Sequence, residues 1–327
     1  MYFRTGGAVD TMGVEMRSDP LRFAALLVLL TAIPAFVVAQ TTPTRGFAVI
    51  ADDAENRPVE VQLYRKMVAV VIGIDRYADP SMNLSYAVKD AQGMEEVLRD
   101  AYGFDPVYAL YNEDATKAKI LELLQTRLPR ETGEDDAVLV FFSGHGVTRD
   151  SSDGQLGYLV PHDGARGEWH RNISMSVLRD DVSRAIPARH VCFIIDACYG
   201  GLLATTRGDD VSTATRSAAY LQSIAKEPAR QVLTAGDETQ TVLDGGPLGF
   251  AVFTGRVIEA LRDATDYITA NELAVGVSEK VFADAQRRGH VQTPQFGSLS
   301  GTGDFVFVPK RQTLGQLRAE TARLEAA

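Results

Sequence analysis

Cysteine is scarce in this chain: two in 327 residues, Cys192 and Cys198. They are six residues apart on what reads as one extended segment, so their Cα atoms should lie roughly 20 Å apart. A disulfide needs them within about 7 Å. That excludes a bridge between them, and free thiols do not decide the compartment. Basic clusters are missing too, and the formal net charge is −10. An acidic chain without a basic run argues against nucleic acid and anionic membrane as partners. Histidine is also sparse, at five. His162, His170, His190 and His290 make no zinc-ligand spacing with one another or with Cys198, so no metal is expected. There is no internal repeat. Long apolar runs are confined to the N-terminal region.

What is present is globular in character, with 45% hydrophobic and 23% charged residues. Arg17 and Arg22 precede an apolar stretch from Phe23 to Val38 that is interrupted by Pro34. Small residues at Val37 and Ala39 then suit a cut before Gln40. A charged start, an apolar middle and a small-residue end describe a secretory signal peptide over 1–39. The expectation is a secreted or periplasmic protein with no membrane attachment, unless the segment is retained as an anchor. Residues 40–65 read as a linker with a small hairpin. From Lys66 onward strands alternate with amphipathic helices: Met67–Ile74, the helical stretch Leu84–Tyr102, Val107–Tyr111, a helix capped by Thr116, Asp136–Phe142, a helix over Val177–Ile186, Val191–Ile195 and Gln231–Ala235. Helices near Phe250–Leu261 and Ala270–Ala285 follow, and Phe305–Val308 closes the domain. This alternation predicts an α/β fold with a mostly parallel central sheet covered on both faces by helices, over 66–309. The stretch 203–228 has no clean period, and 310–327 reads as a polar helical tail.

Two of the buried strands end in reactive side chains at glycine-marked exits. Asp136–Phe142 runs into Ser143-Gly144-His145-Gly146, and Val191–Ile195 runs into Asp196-Ala197-Cys198-Tyr199-Gly200-Gly201. Groups at adjacent strand ends of a parallel sheet meet above its edge. A thiol and an imidazole placed there suffice for covalent acyl transfer, because the ring can generate or stabilise the thiolate. Cys192, inside the strand, reads as a small core residue. His145 precedes Cys198 by 53 residues, close to the spacing of roughly 50 that the general cysteine-motif rule gives for caspases.

With these residues in view, the chain resembles the caspase-like cysteine peptidases (peptidase family C14), and among them the bacterial metacaspase, or orthocaspase, type. The carriers are Val70-Val71-Ile72-Gly73-Ile74, Leu84 to Ala91, Ser143 to Gly146, and Asp196 to Gly201. The last two are specific in combination and the first two are supportive. The resemblance implies a caspase-like α/β/α sandwich. It makes Cys198 the nucleophile and His145 the general acid/base. It places the oxyanion hole at the backbone N–H groups of Gly146 and Cys198. It also implies an acidic pocket built from Asp90, Ser143 and Asp196, and hence cleavage after Arg or Lys in protein or peptide substrates. Carboxylates suit guanidinium and ammonium groups.

The chain departs from the metacaspase pattern in two ways. Tyr199-Gly200 stands where His-Ser is usual. Counting back from Pro187 places the family's calcium-binding pair at Ser174–Ser176 rather than at Asp180-Asp181, so no cofactor is expected and calcium dependence is doubtful. The stretch 203–228 is the expected activation linker, with Arg207, Arg216 and Lys226 as candidate self-cleavage points, and a monomer is the expected state. Two other readings use the same residues and stay open at this point: a catalytically idle caspase-like interaction module, and another thiol enzyme such as a transpeptidase.

Overall fold

The computed structural model describes residues 46–152, 154–197, 206–207, 217–236 and 242–310. The expected signal peptide, Cys198, Arg216 and the polar tail beyond Lys310 lie outside the described residues. Among those described, no helix is long and apolar enough to cross a membrane.

An antiparallel hairpin opens the domain, β1 (Phe47–Asp52) on β2 (Pro58–Tyr64). Then come β3 (Lys66–Gly73), α1 (Ala87–Asp100) and β4 (Val107–Tyr111). The next helix starts as α2 (Lys117–Glu122) and passes through a π-helical turn (Leu123–Arg127) into α3 (Leu128–Glu131). The Thr116 hydroxyl caps it by accepting from the Lys119 amide. Next are β5 (Asp136–Ser143), β6 (Gly146–Ser151), β7 (Gly154–Leu159) and β8 (Ile173–Ser174). A π-helical turn (Val177–Val182) leads into α4 (Ser183–Ala185) and β9 (His190–Asp196). The remaining elements are β10 (Thr206–Arg207), α5 (Ala218–Lys226), β11 (Ala229–Thr234), α6 (Val252–Asp263), β12 (Ile268–Thr269), α7 (Ala270–Arg287), β13 (Gln295–Ser300) and β14 (Val306–Phe307).

The central sheet runs β10-β13-β11-β9-β5-β3-β4. The pairs β11–β9, β9–β5, β5–β3 and β3–β4 are parallel, while β13 is antiparallel to β11 and to β10. Side chains alternate faces along each strand. In β3, Met67, Ala69 and Val71 enter the core shared with α1, α5, α6 and α7. Val68, Val70 and Ile72 enter the other core, beneath α2 and α3. Cys192 points into the first core and is 1% exposed, where burial pushes its thiol pKa up. It is the core residue the sequence suggested.

Two outcomes extend the sequence reading. The hairpin is built into the domain: Val49, Val61, Leu63 and Tyr64 join the first core. Tyr64 also closes a polar relay, in which its Oη accepts from the Val306 amide at 2.9 Å and donates to His190 Nδ1 at 2.7 Å. His190 Nε2 then donates to the Glu227 carbonyl at 3.0 Å. Within the stretch read as aperiodic linker, α5 forms. Ser217 caps it by accepting from the Tyr220 amide, and Ala218, Leu221, Ile224 and Ala225 are buried.

The chain order places β3 first, β4 on one side of it and β5 on the other. The crevice beyond the C-terminal ends of β3 and β5 is therefore a topological switch point, where open α/β sheets bind ligands.

Candidate active site

At that crevice Gly73, Ser143 and Asp196 lie in register on neighbouring strands: Gly73 pairs with Ser143, and Ser143 with Asp196. Gly73 is required by packing. A Cβ there would come within 2.5 Å of the Ala87 carbonyl and 2.7 Å of the Ala91 side chain, so its absence lets α1 sit against the end of β3. That contact brings Asp90, in the first turn of α1, over the sheet edge. A cavity of about 260 Å³ results, lined by Asp90, Ser143, His145, Gly146, Asp196, Ala197, Arg166 and Asp244 among others.

Two of the carboxylates are held by the N-terminus of α6, whose own cap residue, Ala251, offers no side-chain bond. Asp90 Oδ1 accepts from the Ala251 amide at 2.9 Å, and Asp90 Oδ2 accepts from Ser143 Oγ at 3.1 Å. Asp196 Oδ2 accepts from the Thr254 amide at 3.2 Å and from its hydroxyl at 2.5 Å. A helix N-terminus presents unpaired N–H groups and favours negative charge, so the two acids serve as caps borrowed from other elements.

Those bonds do not offset the cost of burial. Asp90 is 1% exposed and Asp196 3%. Burial, and for Asp90 next the charge of Asp196, raises both pKa values well above the usual carboxylate range. Asp244, more open to solvent, also has its pKa raised, first by burial and further by the charge of Asp75. No ion pair to any of these three acids is present among the described residues. The cavity is an acidic, partly desolvated hole whose carboxyl groups tend to keep their protons until a cation enters.

His145 sits between β5 and β6. Its Nε2 lies 2.7 Å from the Met82 carbonyl. A carbonyl can only accept, so Nε2 carries the hydrogen and Nδ1 of the neutral ring is left as the basic nitrogen. Burial lowers the ring's pKa, the Met82 bond opposes this, and Arg166 lowers it further. The His145 amide donates to Tyr77 Oη at 2.7 Å, and the two rings lie 5.1 Å apart. Gly144 is again a packing requirement, since a Cβ would meet Tyr77 Oη at 2.8 Å and the Phe142 ring at 3.1 Å.

Of the residues singled out from sequence, Asp90, Ser143, His145, Gly146 and Asp196 thus line one cavity. Cys198 lies outside the described residues, two positions past Asp196. Elsewhere, Asp180 forms an ion pair with Arg179 at 2.8 Å. The sequence reading missed Asp244, Thr254, Tyr77 and the Met82 carbonyl. Only α6 gave a local signal, because Gly249-Phe250-Ala251 supplies no capping side chain and so calls for an acceptor from elsewhere.

Comparison with known proteins identifies the family. The caspase-domain family profile (Peptidase_C14) matches residues 66–306, and the chain belongs to that family of cysteine peptidases. Protein GSU0716 from Geobacter sulfurreducens has a similar structure: 18% identity, 71% of this chain and 93% of that one covered, TM-score 0.50. Caspase-1 from Spodoptera frugiperda matches at 18% identity over 76% of this chain and 92% of its own, with a TM-score of 0.49. No curated protein sequence matches the chain.

Proposed function

We infer that the protein is a cysteine endopeptidase that cuts after arginine or lysine. The observation that carries this reading is the acidic cavity at the ends of β5 and β9, with His145 in its wall and Cys198 two residues past its floor. The Cys198 thiolate adds to the scissile carbonyl, and the resulting oxyanion is received by the Gly146 and Cys198 amides. Collapse expels the amine, which takes a proton from the His145 imidazolium, and leaves a thioester on Cys198. His145 then removes a proton from water, which attacks the thioester and releases the acid.

Asp90, Asp196 and Ser143 form the pocket for the basic side chain, whose charge supplies the ion-pair partner that the two acids lack among the described residues. Protein or peptide substrates, a secreted or periplasmic location, a monomeric state and independence from calcium belong to the same reading. Self-cleavage within 203–228 belongs to it as well. Arg207 lies in β10 opposite Gly297, and Lys226 ends α5, so neither is free to enter the site as an extended peptide without local unfolding. An intact band after prolonged incubation of active protein would count against self-cleavage.

The test is turnover of peptides differing only at the residue before the cut, by wild type and Cys198→Ala, with and without calcium. Cleavage confined to Arg and Lys peptides and lost in the variant is expected. Turnover surviving in Cys198→Ala, or a preference for Asp, would overturn the reading.

A further inference from the structure

Arg166 is the one permanently charged cation among the described residues lining the acidic cavity. It makes no ion pair with a described residue, and it is solvent-exposed. Its position is nevertheless built. The buried Asn172, 2% exposed, clamps the preceding residue from both sides: its Oδ1 accepts from the Ala165 amide at 3.2 Å and its Nδ2 donates to the Ala165 carbonyl at 2.8 Å. Gly167 follows with φ +79, a left-handed turn that redirects the chain just after the arginine. The loop is tied to the catalytic segment through the Val160 amide, which donates to the His145 carbonyl at 2.9 Å.

A guanidinium on a fixed loop beside His145, with no ion pair among the described residues, is placed to receive an anion. His145 protonates the departing amine, so its neighbourhood is the leaving-group side of the scissile bond. The cavity floor is acidic and ionises against a bound cation, and Arg166 is positive, so the two are complementary to a basic residue followed by an acidic one.

We propose that Arg166 is a specificity-determining residue that receives an acidic side chain on the leaving-group side of the cut, so that the preferred junctions are Arg or Lys followed by Asp or Glu. This rests on the cysteine-peptidase reading above. Arg166 also disfavours a second basic residue at that position.

The test uses quenched fluorescent peptides with Arg before the cut and Asp, Ala or Lys after it, cleaved by wild type, Arg166→Ala and Arg166→Glu. Exposed charge pairs of this kind are weak, and wild type should favour Asp over Ala by about two- to fivefold in kcat/KM. The ratio should shrink with added salt, vanish in Arg166→Ala and invert toward Lys in Arg166→Glu. Equal cleavage of the three peptides by wild type, or an Asp preference that persists in Arg166→Ala, overturns this proposal and leaves the peptidase reading standing. Failure to cleave any Arg peptide overturns both.

Discussion

Replacing Asp90 by asparagine should make the protein more stable and less active at the same time. The carboxylate is 1% exposed, faces Asp196 and has no cationic partner among the described residues. Burial raises its folded-state pKa above the unfolded value of 3.8. The folded state therefore holds the proton more tightly than the unfolded chain does. The stability contribution is fully present below about pH 4 and is lost as pH rises through neutrality. Asparagine keeps an oxygen for the Ala251 amide, and the Ser143 hydroxyl can rotate to accept from the new NH₂ group. The variant should then exceed wild type at pH 8 by on the order of 2 kcal/mol, with the gap closing toward pH 4. Activity should move the other way. Losing one charge-assisted contact to a basic side chain costs about 1.5–3 kcal/mol, or about a 10- to 150-fold loss of kcat/KM on Arg peptides. Urea unfolding at pH 4.5, 6 and 8, beside kinetics on Arg peptides, reads both quantities. A variant less stable than wild type at pH 8, or a stability gap that ignores pH, would refute the reasoning.

Tyr77→Phe removes the acceptor for the His145 amide and should lower kcat about tenfold while KM moves less; steady-state kinetics in which only KM changes would contradict the positioning role. His190 is neutral in its relay with Tyr64 and Glu227, and burial lowers its pKa to about 4. Its contribution is present above about pH 6.5 and is lost as pH falls toward 4, by about 3 kcal/mol. Asp304, raised by burial to about 6, works in the opposite direction over much of that window. The diagnostic is therefore the stability difference between wild type and His190→Gln, which should shrink as pH falls; a constant difference would count against it.

Much of the fold was legible because parallel strands covered on both faces must be apolar throughout. Met67–Ile74, Asp136–Phe142 and Val191–Ile195 carry that signature without help from context. Strand β13, Gln-Phe-Gly-Ser-Leu-Ser, carries none, and the antiparallel ladder with β11 defines it. Helix α5 had readable signals in its Ser217 cap and its buried spacing, but the polar residues around it masked them. In the site, glycine-marked strand ends exposed His145 and Cys198, and the family resemblance pointed to Asp90, Ser143 and Asp196. Asp244 and Thr254 stayed hidden because their roles depend on contacts across the fold. Thr254 meets Asp196 from 58 residues away, and Ala251 meets Asp90 from 161. No local pattern encodes such a meeting.

The peptidase reading requires a reactive thiol on Cys198, two positions after Asp196 in the sequence, together with a pocket that accepts a positive charge. Incubating the full chain with a thiol-reactive peptide ending in an arginine electrophile, then mapping the adduct by mass spectrometry, tests this most directly. One equivalent should attach to Cys198, none to Cys192, with labelling slowed in His145→Ala and faster than for a matched probe ending in aspartate. Folded protein that leaves Cys198 unlabelled, or that takes the aspartate probe faster, would contradict the account.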